Sequence, residues 1–200
     1  MESKSSASNP QDFLSSAAVL LLKSSLAITE RCREDIPTIF SNESDSSPMV
    51  QELLAFLGSI VLHEAHAKNP ESETEKINQT CHRLKDALVP IAGLSPEYSQ
   101  YAQCFDDQAF HELMANYFNG NIEDFGFPPE ELQRTSEFIR IPVPRNRGIE
   151  TLFFALMTRL IRQTKIPSLP ETEDRGKAAA QLTQFVETGI SSFGLALQML

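Results

Sequence analysis

Between Ile149 and Ile161 the apolar residues Ile149, Leu152, Phe153, Leu156, Met157, Leu160 and Ile161 recur every three or four positions. That spacing lays one apolar stripe along an α-helix, and a strand of period two cannot carry it. The same period returns elsewhere. Phe13, Leu14, Ala17 and Val19 to Leu22 give a wide apolar arc, with Asp12 as a candidate N-cap, and a shorter helical piece is expected before Pro37. Val50, Leu53, Leu54, Leu57, Ile60 and Val61 follow helical spacing after Ser47-Pro48, and Gly58 within them suggests a close approach of two helices.

Further helices follow from the same pattern. Asn69-Pro70 is another start signal, and Ile77, Cys81, Leu84 and Leu88 form a narrow stripe expected to end before Pro90. Ser95-Pro96 opens the next. Its face of Tyr98, Ala102, Phe105 and Ala109 is out of phase with Phe110, Leu113, Met114, Tyr117 and Phe118, which predicts a break near Asp106-Asp107. A last helix carries Leu182, Phe185, Val186, Gly189, Ile190, Phe193 and Leu197.

Turn chemistry fills the gaps. Ser41 to Ser47 contains no apolar residue and reads as an exposed connector. Asn119-Gly120 suits a C-cap, and Phe125-Gly126-Phe127-Pro128-Pro129 an ordered aromatic loop. With prolines at 142 and 144, the alternating stretch from Phe138 fits an extended edge better than a helix. The fold class is therefore all-α, an irregular bundle of about six to eight helices with one Pro-rich extended segment at about 138–147. Residues 1–11, rich in Ser and poor in apolar groups, are expected to be disordered, and residues 12–200 to form a single helical domain.

Charge and cysteine usage limit the partners. The 200-residue chain has a net charge of −10, which disfavours nucleic acid and anionic membrane as partners. Its three cysteines, Cys32, Cys81 and Cys104, are odd in number and form no C-x-x-C pair, in keeping with a reducing compartment. The apolar run Ala17 to Leu22 is shorter than the roughly 18 residues of a membrane span, and no cleavable signal is evident. A cytoplasmic location is expected, with secretion without a cleaved signal as the other setting that the Ser-rich start fits.

Catalytic fingerprints are sparse. His63, His66, Asp107 and His111 offer pairs at helical spacing, which would suit a metal-dependent helical hydrolase if the pairs converged. His63-Glu64-Ala65-His66 is one residue short of H-E-x-x-H, so no metal or other cofactor is predicted and the pairs are expected to stay apart. Asp106-Asp107 serves better as a helix cap than as a magnesium ligand, since no second acidic motif follows. Asp124-Phe125-Gly126 lacks every other kinase element. There is no G-x-S-x-G and no cysteine with activating flanks, so an enzyme is the less favoured class.

The charge distribution is more telling. From Arg134 to Lys165 seven positive residues face two acids, a net +5, which leaves −15 for the rest of the chain. Arg140, Arg145, Arg147, Arg159 and Arg162 are the candidate partner- or anion-binding residues, the first three lying in or beside the Pro-rich segment. The reading is a non-enzymatic helical interaction or regulatory protein that meets a protein partner through this Arg-rich segment. A pocket protein for a small apolar or anionic molecule is a further alternative.

Overall fold

The computed structural model describes residues 10–40, 47–67, 73–92, 101, 103–145, 148–170 and 172–200. Among the described residues seven α-helices with defined bounds follow in order: α1 (Pro10–Asp35), α2 (Ser47–Ala67), α3 (Glu73–Ala92), α4 (Gln108–Asn119), α5 (Pro129–Ile139), α6 (Ile149–Gln163) and α7 (Thr172–Leu197), and residues 101, 103 and 104 are also helical. Short 3-10 turns lie at Pro37–Ile39, Ile122–Phe125 and Ile166–Ser168, and no strand occurs among the described residues. The protein is all-α, within the expected helix number.

Burial explains the arrangement. Every residue of α2 from Glu52 to Ser59 is buried, so this helix is covered all round, as a central helix must be. It packs against α1 on one side and against α4 and α6 on the others, while α1 also carries α3 and α7, and α5 bridges α6 and α7. At Gly58 the backbone of α2 meets Met114 of α4 so closely that an added Cβ would lie 2.6 Å from its sulfur. The close approach expected at this glycine is thus between α2 and α4. Three buried hydroxyls are satisfied within their own helices: Ser25 donates to Leu21 O, Thr29 to Ser25 O and Thr158 to Phe154 O.

Among the described residues, the segment Phe13–Asp35 of α1 is the one long and apolar enough to cross a membrane, a property that the short run Ala17 to Leu22 conceals. Half of its most apolar window is buried against the rest of the protein, as in a core helix.

Several expectations need correction. The first helix runs unbroken from Pro10 to Asp35, with no separate piece before Pro37, so Pro10 and Gln11 are helical and residues 1–9 lie outside the described residues. Helix α3 passes Pro90 and ends two residues later. Pro90 cannot donate to the Asp86 carbonyl, so one helix bond is lost there while the flanking residues keep helical geometry. The extended segment is shorter than 138–147: Phe138 and Ile139 close α5, Arg140 caps it, and 141–145 have no regular structure. Helix α5 has its own start signal, because Pro128 is the N-cap, Pro129 follows at the first position, and Glu130 and Glu131 occupy the first turn. The Ser41 to Ser47 connector, except Ser47, and the starts at Asn69-Pro70 and Ser95-Pro96 lie outside the described residues.

Other expectations agree with the structure. The break before α4 falls at Phe105 to Asp107, with the Asp107 side chain accepting from Ala109 N at 2.9 Å as the N-cap. Gly120 ends α4 in the left-handed conformation at φ 68°. In the aromatic loop Phe125 stacks parallel to Phe127 with centroids 5.5 Å apart, and Tyr117 packs on Phe125 at 4.9 Å.

Cys32 and Cys81 are buried, and burial pushes both thiols up from 9.0 to about 12, with the Asp35 charge adding to the effect at Cys32. The native state therefore holds these protons after the unfolded chain has released them. Stability is fully present below about pH 9 and is lost as pH rises towards 12, with a slope of about 1.4 kcal/mol per pH unit for each thiol. Urea unfolding at a series of alkaline pH values is expected to show this fall, and the double substitution C32A/C81A is expected to flatten it; an unchanged slope in that variant would place the alkaline sensitivity elsewhere.

Candidate functional site

The five candidate arginines separate into different environments. Arg140 is exposed and holds φ 57°, ψ 33° as the C-cap of α5, the one non-glycine residue with positive φ among those described. Arg145 is exposed in the irregular stretch after it. Neither has an ion-pair partner among the described residues. Arg162, near the end of α6, is exposed and comes no closer than 3.9 Å to Glu131. Arg147 lies outside the described residues.

Arg159 departs from the expected outward surface. It turns to Glu52 of the central helix, its Nε donating to Glu52 Oε1 at 2.6 Å, with 29% of its side chain exposed against 2% for the glutamate. Tyr117 of α4 donates to the same oxygen at 2.6 Å, and Gln163 donates to Oε2 at 3.0 Å. A carboxylate in the interior costs several kcal/mol unless paired and hydrogen-bonded, and these three donors supply what Glu52 needs. Tyr117 is fully buried, and its hydroxyl pKa is pushed well up, first by burial and then by the neighbouring Glu52 charge. The phenol thus stays protonated and serves as a donor.

Glu52, Arg159 and Gln163 of this network line a cleft of about 360 Å³ between α2, α4 and α6. Gln51, Asn116 and Gln163 contribute amides to its lining, and Asp107 and Glu112 contribute carboxylates from the α4 side. Cys104 also faces it. Burial, followed by the Asp107 charge, raises that thiol's pKa, which makes it a poor nucleophile. A second groove of about 230 Å³ is apolar: Phe56, Ile149, Phe153 and Ile190 line it, with Glu150 and Glu187 beside them.

Of the alternative metal set, the described residues His63, Asp107 and His111 have the following surroundings. The His63 ring stacks on Phe118, with centroids 4.4 Å apart, roughly 10 Å along α4 from His111 at 1.5 Å per residue. His111 Nε2 lies 2.7 Å from the Phe105 carbonyl oxygen, and Asp107 is engaged as the helix cap. The side chain of His66 lies outside the described residues. No group of three or more His, Cys, Asp or Glu placed to hold an ion occurs among the described residues.

No family model matches the chain, and neither a curated protein nor a solved structure is similar to it beyond chance. The site is therefore read from its own residues.

Glu52, Tyr117 and Gln163 were not among the sequence candidates. Arg159→Met is expected to cost about 3 to 5 kcal/mol, because it strands a carboxylate almost closed to water. Glu52→Gln is expected to cost less, because the amide still accepts from Tyr117 and the released guanidinium reaches solvent. Denaturant unfolding of the two variants measures the order; the reverse order would mean that packing by the arginine stem, not the ion pair, governs the site.

Proposed function

We propose that this chain is a non-enzymatic interaction protein that docks an acidic segment of a protein partner on the Arg140 to Arg145 linker between α5 and α6. The observation that carries the reading is the conformation of Arg140. A left-handed C-cap is the position where glycine is favoured, and an L-residue there costs about 1 to 2 kcal/mol. An arginine held there, exposed and without an ion-pair partner among the described residues, supports a role towards something outside the chain.

Two features support a peptide-like partner. Arg145 adds a second exposed guanidinium within the same linker, and the acidic remainder of the chain opposes nonspecific polyanions. Ile149, 63% exposed, follows Arg145 by four residues in the chain and lines the apolar groove, which offers burial for an apolar residue of such a partner.

Fluorescence anisotropy with a labelled Glu-rich peptide bearing one leucine, and with its Gln-substituted counterpart, tests the reading. Wild type is expected to prefer the Glu peptide, with affinity falling as salt rises, and R140E/R145E to lose that preference without a change in melting temperature. Equal binding of the two peptides, or a loss of several kcal/mol of stability in the double variant, would reject it. Arg140→Gly is expected to raise stability by about 1 kcal/mol while weakening capture of the Glu peptide. If stability falls instead, Arg140 is a structural cap.

A further inference from the structure

The polar cleft is separate from the docking linker and has chemistry of its own. Arg159 spends its Nε on Glu52, and neither of its terminal nitrogens has an acceptor among the described residues. Its partly exposed guanidinium faces the cleft, locked in orientation by a carboxylate that is itself held by Tyr117 and Gln163. A planar fork of unsatisfied donors fixed in this way is a receptor for a carboxylate.

The α4 side of the cleft has the opposite character. Glu112 Oε1 accepts from Gln108 and Asp107 Oδ1 caps Ala109, which leaves one oxygen of each carboxylate without a bond to these partners. Glu112 and Asp107 line the same small cleft as the Arg159 guanidinium. One ligand bonded to both sides of it would carry a carboxylate and an ammonium. The volume, about 360 Å³, falls at the small end of ligand sites, which run from about 300 to 1,000 Å³.

We infer that the cleft between α2, α4 and α6 binds a small amino-acid-like zwitterion, its carboxylate on the terminal nitrogens of Arg159 and its ammonium on Glu112 and Asp107. The amides of Asn116 and Gln51 also line the cleft, and Phe110 and Leu113 give it apolar surface for a carbon chain.

The test uses the full chain and a series of α-, β-, γ- and longer ω-amino acids, each with its N-acetyl and carboxamide derivatives, followed by isothermal titration and thermal shift. At least one member is expected to bind saturably in the millimolar range or better and to raise the melting temperature. Both derivatives of that member are expected to lose binding. Glu112→Gln, at an exposed position that leaves the Glu52 network intact, is expected to weaken it about tenfold with the unliganded melting temperature unchanged. Absence of saturable binding across the series overturns the proposal, as does binding that survives acetylation or is unaffected by Glu112→Gln.

Discussion

A negative charge in the middle of the most buried helix sets the terms for the rest of the protein. Glu52 lies in phase with Met49, Phe56 and Ser59 on a helix covered on every side, where water cannot solvate it. Its three donors come from α4 and α6, two helices far from α2 in sequence. The carboxylate therefore fixes how these helices approach one another, because a rotation of α6 by one position would remove both Arg159 and Gln163 at once. Apolar contacts around Gly58 and Met114 tolerate small slips, whereas hydrogen bonds of 2.6 Å do not.

The helical skeleton was legible because its signals are local. The Ile149 to Ile161 stripe, the Asp107 cap and the Gly120 stop each depend on neighbours within a turn or two, and each appears where the residues imply. Failures came where two local rules competed. At Phe138 the alternation and the coming prolines suggested an extended chain, but the start signal at Pro128-Pro129 had already committed the backbone to α5. At Pro90 the proline signals a stop, yet the helix continues through it to Ala92 without that residue's backbone donor.

The candidate site was much less legible, and for a physical reason. Arg159 and Gln163 are four residues apart on an apolar helix, and Glu52 interrupts an apolar run, so each was visible as a polar residue in an unfavourable place. What the sequence lacks is the information that they meet. Arg159 is close to Arg140, Arg145, Arg147 and Arg162 along the chain, but α6 carries it inward and leaves Arg140 and Arg145 outside. Proximity in sequence stood in for proximity in space, and the two coincide only within one turn of helix.

The aromatic stack from the core to the loop has a further consequence. Phe56 meets Tyr117 edge-on, Tyr117 packs on Phe125, and Phe125 lies parallel to Phe127. The chain contains no tryptophan and three tyrosines, so its near-ultraviolet optical activity arises chiefly from tyrosine rings in asymmetric surroundings. Tyr117, wholly enclosed and bonded to Glu52, is such a ring. The protein carries an intrinsic chromophore at the junction of α2, α4 and α6, and its dichroism reports on that junction without any label being introduced.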